Sequence, residues 1–178
     1  MKYDLHSHSH FSDGSLSPTE LIEQASKAGI DCLALTDHDS VAGLNEAHLA
    51  AQKTELRLIN GVELSCQWQH QLLHVVGLNV DPNNPSLLAG IAQNRERRFD
   101  RAEAMHKDFE KHDIHVRDQV QALIHGEAVP TRPHFAEALV LQGYAKDKKQ
   151  AFKRYLIPGK PGFVAVQWPT IDLSLIHI

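Results

Sequence analysis

Four clusters of metal-type ligands fall early in the chain: Asp4-Leu5-His6-Ser7-His8, Ser12-Asp13-Gly14, Thr36-Asp37-His38-Asp39 and Gly61-Val62-Glu63. Each stands where an apolar run ends. On a strand, residues two apart project to the same side, so His6 and His8 can grip one ion together. Imidazole mixed with carboxylate suits Zn, Mn or Fe better than Ca or Mg. His74, within Leu73-His74-Val75-Val76-Gly77, is a further candidate. The chemistry indicated is that of a polynuclear metal centre at one end of a β/α scaffold.

Taken singly, these residues have plainer readings. A histidine inside a strand is commonly a hydrogen-bonded core residue, and a glutamate after a Gly-Val turn a solvated or capping group. Asp13-Gly14 alone is a turn signal, and Asp37-His38-Asp39 could open a helix, where carboxylates favour the dipole. Their joint placement favours metal. Three clusters stand just after the first three expected strands and His74 lies inside the fourth; in a β/α barrel, strand ends meet at one face. Gathering so many titratable groups without a metal would be costly in desolvation and repulsion.

The elements that must position these groups alternate. Tyr3 to His6 reads as a first strand. Ser17-Pro18-Thr19-Glu20 is a capping box with Pro at the first helical position. The helix it opens carries Leu21, Ile22, Ala25 and Ala28 on one face and stops at Gly29. Cys32 to Leu35 is a buried strand, Leu44 to Ala51 a helix, Leu56 to Ile59 a third strand and Leu72 to Val80 a fourth. This alternation predicts βαβ units and a largely parallel sheet.

After Asp81-Pro82-Asn83-Asn84-Pro85 the pattern becomes helical: one long segment from Ser86 to about His112, then Arg117 to His125, Arg132 to Leu141 and Lys146 to Tyr155. A strand pattern returns only at Gly162-Phe163-Val164-Ala165-Val166. Residues 85–160 therefore read as a helical insertion between a barrel portion at 1–84 and a return to the barrel at 161–178. Gln167 to Asp172 reads as a loop entering a capped helix, and residues 173–178 as the middle of an element.

Bulk properties narrow the function classes. The chain has 178 residues and 22% charged composition, enough for a real core and ordinary for a soluble globular protein. No run approaches the roughly 18 apolar residues of a membrane span, and Met1-Lys2-Tyr3-Asp4 has no apolar signal core, so the expectation is cytoplasmic. A net charge of -4 gives no global attraction to nucleic acid, so an anionic substrate must be met locally. The two cysteines, Cys32 and Cys66, have no CxxC spacing; Cys32 reads as core and Cys66 as lying near the site. No protein partner is evident.

The ligand motifs together resemble the polymerase and histidinol phosphatase (PHP) family of metal-dependent phosphoesterases. Further runs are similar to its branch of 3',5'-nucleoside bisphosphate phosphatases and 5'-3' exoribonucleases: Gly61-Val62-Glu63-Leu64-Ser65, His74 to Asn79, Thr131-Arg132-Pro133-His134-Phe135-Ala136 and Gly159-Lys160-Pro161-Gly162-Phe163-Val164. The resemblance covers residues 2 to 172. It implies an α/β fold, a distorted TIM-like barrel of seven β/α units. It also implies three divalent ions, Mn foremost with Zn or Fe as alternatives. His6, His8 and Glu63 would bind the first; Glu63 would bridge to a second shared with His74; Asp13 and His38 would bind the third. The family closes its site with a late His-Pro and a terminal Asp-x-His. Neither stands at such a place here, so the barrel is expected to be incomplete at its C-terminal end and the chain to be the front part of a longer protein.

Basic residues supply the substrate side of this expectation. Arg95, Arg97, Arg98 and Arg101 on the long helix read either as a solvated face or as a phosphate clamp. Arg98 and Arg101, a turn apart, are the candidates for the clamp. Arg132 and His134 stand at a helix start, an anion-favouring place, and the resemblance strengthens them as substrate ligands, with Lys160 as a further contact. Lys146, Lys148, Lys149, Lys153 and Arg154 read as surface charge. His10, His48, His70, His106, His112, His115, His125 and His177 receive no role. The implied substrates are phosphorylated nucleotides, 3',5'-nucleoside bisphosphates or the 5' ends of short RNA, hydrolysed by a metal-activated water. Competing readings are a histidinol-phosphate-type phosphatase, an amidohydrolase (which also opens on His-x-His) and a non-catalytic metal-binding remnant.

Overall fold

The structure, a computed structural model, describes residues 1–69, 71–126 and 128–172. His70, His177 and the terminal segment 173–178 lie outside the described residues. The chain divides into two compact units, one of Met1–Arg95 with the segment from Trp168 onward, the other of Glu96–Gln167. No helix among the described residues is long and apolar enough to cross a membrane.

The first unit is built on a four-stranded sheet of order β1-β2-β3-β4: β1 (Tyr3–Ser7), β2 (Cys32–Leu35), β3 (Arg57–Trp68) and β4 (Gln71–Leu78). β1, β2 and β3 run parallel, linked by α1 (Pro18–Lys27) and α2 (Leu44–Ala51) as two βαβ crossovers. The capping box forms as its sequence predicts, with Ser17 and Glu20 satisfying each other's backbone amides. Every residue of β2 is buried, and Leu33 and Leu35 pack with Ile22, Leu44, Ala47 and Leu56 in one core.

Two features of the sheet go beyond the expectation. β4 runs antiparallel to β3, paired from Gly61 with Leu78 to Trp68 with Gln71, so one antiparallel strand joins the otherwise parallel sheet. β3 also continues well past Ile59. Gly61-Val62 reads as a turn in the plainer reading of the sequence, yet Gly61 serves close strand approach: a Cβ there would lie 2.6 Å from the Thr36 methyl and 2.8 Å from the Leu35 carbonyl. Val62 and Leu64, on the other face from Glu63, bury against Val80, Leu87 and Ile91. Both cysteines are free and buried, Cys32 in β2 and Cys66 in β3.

The second unit is helical: the C-terminal part of α3 (Pro85–Glu110), then α4 (Arg117–Ala122), α5 (Arg132–Leu141) and α6 (Lys148–Tyr155). Its core gathers Met105, Phe109, Val120, Phe135, Leu139 and Leu156. The strand expected over 162–166 does not form. Gly162 takes a left-handed φ of 83° and sits against the Phe109 ring, where any Cβ would collide, so this run closes the helical core instead.

Candidate metal centre

Glu63 projects from β3 into the middle of a ring of histidines. Its Oε2 lies 3.0 Å from His6 Nε2, 3.1 Å from His8 Nε2 and 3.3 Å from His38 Nδ1, and its Oε1 lies 3.1 Å from His74 Nδ1. Asp13 faces two of the same rings from the other side, with Oδ1 3.9 Å from His8 Nδ1 and Oδ2 3.7 Å from His38 Nε2. The His8 and His38 rings lie 4.6 Å apart at 31°. Each of these two imidazoles therefore presents one nitrogen to Glu63 and the other to Asp13.

Local structure explains this convergence. His6 lies within β1 and His8 just beyond it, so strand alternation sends both to Glu63 as the spacing predicts. The segment after β2 does not start a helix, since α2 begins only at Leu44. Instead Asp37, His38 and Asp39 prolong the parallel pairing: the Glu63 amide donates to the Asp37 carbonyl at 3.1 Å and the Asp39 amide to the Glu63 carbonyl at 2.9 Å. His74 stands opposite Ser65 in the β3–β4 ladder, which makes it the diagonal neighbour of Glu63 on the same face.

Two buried carboxylates brace the loops and were not singled out by the sequence. Asp37, only 2% exposed, accepts from the Ser9 amide (2.7 Å), the Ser9 hydroxyl (2.6 Å) and the Ser12 hydroxyl (2.6 Å). Asp39 has a positive φ of 46° and accepts from the Ser65 amide and hydroxyl at 2.9 and 2.8 Å and from Asn94 Nδ2 at 2.7 Å. Small hydroxyl residues after His8 and after Glu63 are the signal that could have shown these braces; Asn94 carries none.

Electrostatics follow from the crowding. Burial alone would raise the Glu63 carboxyl, but hydrogen bonds from His74 and His8, the charge of His38 and the bond from His6 hold it far below the usual carboxylate range. Burial would lower His8, yet its bond to Glu63 and the charges of Asp13, Glu63 and Asp37 leave it above its ordinary 6.5. Burial raises Asp37, against the hydrogen bonds from Ser12 and Ser9.

The donor atoms form three overlapping groups, each within 4.8 Å: His6, His8 and Glu63; His8, Asp13 and His38; His38, Glu63 and His74. All six expected ligands are thus brought together, with His8, His38 and Glu63 each shared between two groups. Four imidazoles and two carboxylates form a donor set that fits first-row divalent ions.

The expected substrate residues lie in the second unit. Arg98 and Arg101 on α3 are 4% and 7% exposed, so they do not form the solvated face that was the plainer reading. Arg132 opens α5, and His134 completes that helix's capping box, its Nδ1 accepting from the Thr131 amide at 3.0 Å. Burial and then the nearby charge of Arg98 lower the pKa of Arg132. Lys160 is exposed. Among the lysines read as surface charge, Lys148 pairs with Glu137 at 2.7 Å.

This fold is that of a known family. Residues 4–156 match the PHP domain, and the chain belongs to that family. It is 43% identical over 175 residues to a 5'-3' exoribonuclease of Haemophilus influenzae, covering 98% of this chain and 63% of that protein. It is 42% identical over 170 residues to a 3',5'-nucleoside bisphosphate phosphatase of Chromobacterium violaceum, covering 95% of this chain and 60% of the relative. A solved structure described as an amidohydrolase from Chromobacterium violaceum, with bound sulfate and no metal, superposes with a TM-score of 0.95 at 41% identity. That match covers all of this chain and 63% of the other. The chain therefore spans less than two thirds of the length of these relatives, and its fold is the mixed α/β fold of the PHP domain.

Proposed function

We propose that this chain carries the metal centre of a phosphoesterase that acts on 3',5'-nucleoside bisphosphates or on the 5' ends of short RNA in the cytoplasm. The observation that carries the reading is the convergence of His6, His8, His38 and His74 on the single carboxylate of Glu63, with Asp13 closing the far side. The relatives' named activities supply the substrate class.

His6, His8 and Glu63 would hold one divalent ion, Glu63 and His74 with His38 a second, and Asp13 with His8 and His38 a third, Mn being the first choice. Such ions supply a water-derived nucleophile at neutral pH and neutralise phosphoryl charge. The chain's own residues do the rest. Glu63, held ionised, can serve two groups at once because its two oxygens face different histidines. Asp37 and Asp39 keep the loops that present Asp13 and His38 in place. Arg98, Arg101 and Arg132 would bind phosphate oxygens bidentately, with His134 and Lys160 as flanking contacts from the helical unit.

The test is phosphate release by the Mn-loaded chain from a nucleoside 3',5'-bisphosphate, set beside histidinol phosphate and a lactone. Release from the bisphosphate is expected. Preference for histidinol phosphate would move the chain to the neighbouring phosphatase class, and lactone hydrolysis alone would make it an amidohydrolase. Full metal content with no turnover of any substrate would favour the non-catalytic metal-binding reading.

A further inference from the structure

Of the six residues that converge on the centre, Asp13 alone is carried by a turn. His6, Glu63 and His74 lie in strands, His8 directly follows β1, and His38 is bridged to Glu63. What holds Asp13 in place is the turn from Ser9 to Gly14. The Ser9 carbonyl accepts from the amides of Ser12 and Gly14, each at 3.0 Å, and so closes the turn from within. Gly14 permits this closure because a Cβ there would run into the His8 carbonyl. The turn is then tied to the segment after β2 by Asp37, which receives both donors of Ser9 and the hydroxyl of Ser12.

We propose that Asp37 is a positioning residue whose carboxylate fixes the Ser9–Gly14 turn and so sets Asp13 against His8 and His38. The inference rests on the metal-centre reading above and assigns Asp37 no contact with an ion. Its two oxygens are engaged by an amide and two hydroxyls at 2.6 to 2.7 Å, and it belongs to none of the three donor groups. Ser12, which it holds, is the immediate neighbour of Asp13, one Cα step of about 3.8 Å away. Ligand sites lose affinity when a donor is misplaced by more than about 0.5 Å, so an anchor one residue from the ligand governs the group it serves. Three donors meeting one carboxylate also explain why the residue is aspartate. An asparagine that kept its oxygen on the Ser9 amide and the Ser12 hydroxyl would turn its NH₂ toward the Ser9 hydroxyl, which must then accept, and all three bonds would lose the assistance of the negative charge.

The test uses the 178-residue chain with Asp37→Asn, Ser12→Ala, Asp13→Ala and the double variant Asp13→Ala/Asp37→Asn. Mn²⁺ number and affinity are read by equilibrium dialysis, and exchange of the Ser12 and Gly14 amides is read in the metal-free protein. Asp37→Asn is expected to lose one ion, or to bind it about 10–100-fold more weakly, the range seen when groups behind a metal ligand are removed. Ser12→Ala falls between it and the parent. In the Asp13→Ala background Asp37→Asn adds no further loss, an outcome that a merely structural role would not produce.

Unchanged Mn²⁺ binding in folded Asp37→Asn overturns the proposal, as does a further loss of equal size in the double variant. Should Asp37→Asn fail to fold, unchanged binding in Ser12→Ala overturns it instead. A parent chain that binds no Mn²⁺ defeats the metal reading separately. In that event the amides decide: exchange at Ser12 and Gly14 as slow in Asp37→Asn as in the parent means that Asp37 does not hold the turn.

Discussion

His38 stands across a parallel β-bridge from Glu63, beyond the end of β2. The bridge places a metal-type imidazole beside the central carboxylate by backbone pairing, through the Glu63 amide to Asp37 and the Asp39 amide to Glu63. Most of the centre's order is therefore sheet order. The Asp13 turn has no such strand pairing and is tied to the segment after β2 by the Asp37 side chain.

Replacing Glu63 by Gln keeps the shape and removes the charge that four histidines share. Groups behind a ligand are worth about 10–100-fold in metal affinity, so under the proposed ligand set loss of the central carboxylate should exceed 100-fold. Metal content after dialysis, measured on folded protein, checks it; a full complement retained by Glu63→Gln would refute the shared-ligand arrangement.

Arg132→Ala should act on substrate binding more than on turnover. A hydrogen bond to a charged group contributes about 1.5–3 kcal/mol, or roughly ten- to hundredfold, and that factor is expected in KM for a phosphorylated substrate. Arg132→Lys should recover little of it, because an ammonium lacks the bidentate fork. An unchanged KM would remove Arg132 from the phosphate site.

The helical unit carries its own pH dependence. His106 is 7% exposed and tilts against Phe135 with ring centroids 4.7 Å apart. Burial, and after it the charge of Arg117, holds its pKa below 6.5. Between the folded value and the ordinary one the unfolded chain binds the extra proton, so stability falls as pH drops below about 6.5 and is unaffected at pH 8. Thermal unfolding from pH 8 to pH 5 should show a shallower decline for His106→Phe than for the parent chain. Parallel declines would show that the proton goes elsewhere.

Phe135 is fully buried, stacked with Phe109 at 6.0 Å between ring centroids. Phe135→Ala should cost about 3–5 kcal/mol, the usual penalty for emptying a packed aromatic site, and urea unfolding reads it directly. A loss below about 1 kcal/mol, well under that range, would mean that the site collapses around the truncation.

The sequence is most informative where chemistry and periodicity coincide. His6 and His8 two apart on a strand, Glu63 and the Ser17–Glu20 capping box each carry a local rule that the fold obeys. It is least informative where the reason for a residue lies in another segment. Gly61 mimics a turn because its true constraint, the methyl of Thr36, is distant in sequence. β4 reads equally well as parallel or antiparallel, since alternation is the same in both. The run at 162–166 has strand composition but packs Gly162 on Phe109. Asp37 and Asp39 look like ligands or helix formers, and only the positions of Ser9, Ser12, Ser65 and Asn94 show that they are braces.

The hairpin of β3 and β4 also sets an order of events. It joins Glu63 to His74 through contacts close in sequence, and such hairpins form in roughly 1–10 μs. His6 and His8 reach Glu63 only after a loop of more than fifty residues has closed, at an entropic cost that grows with loop length. The Glu63–His74 edge of the centre can therefore be in place while the N-terminal strand is still searching for it.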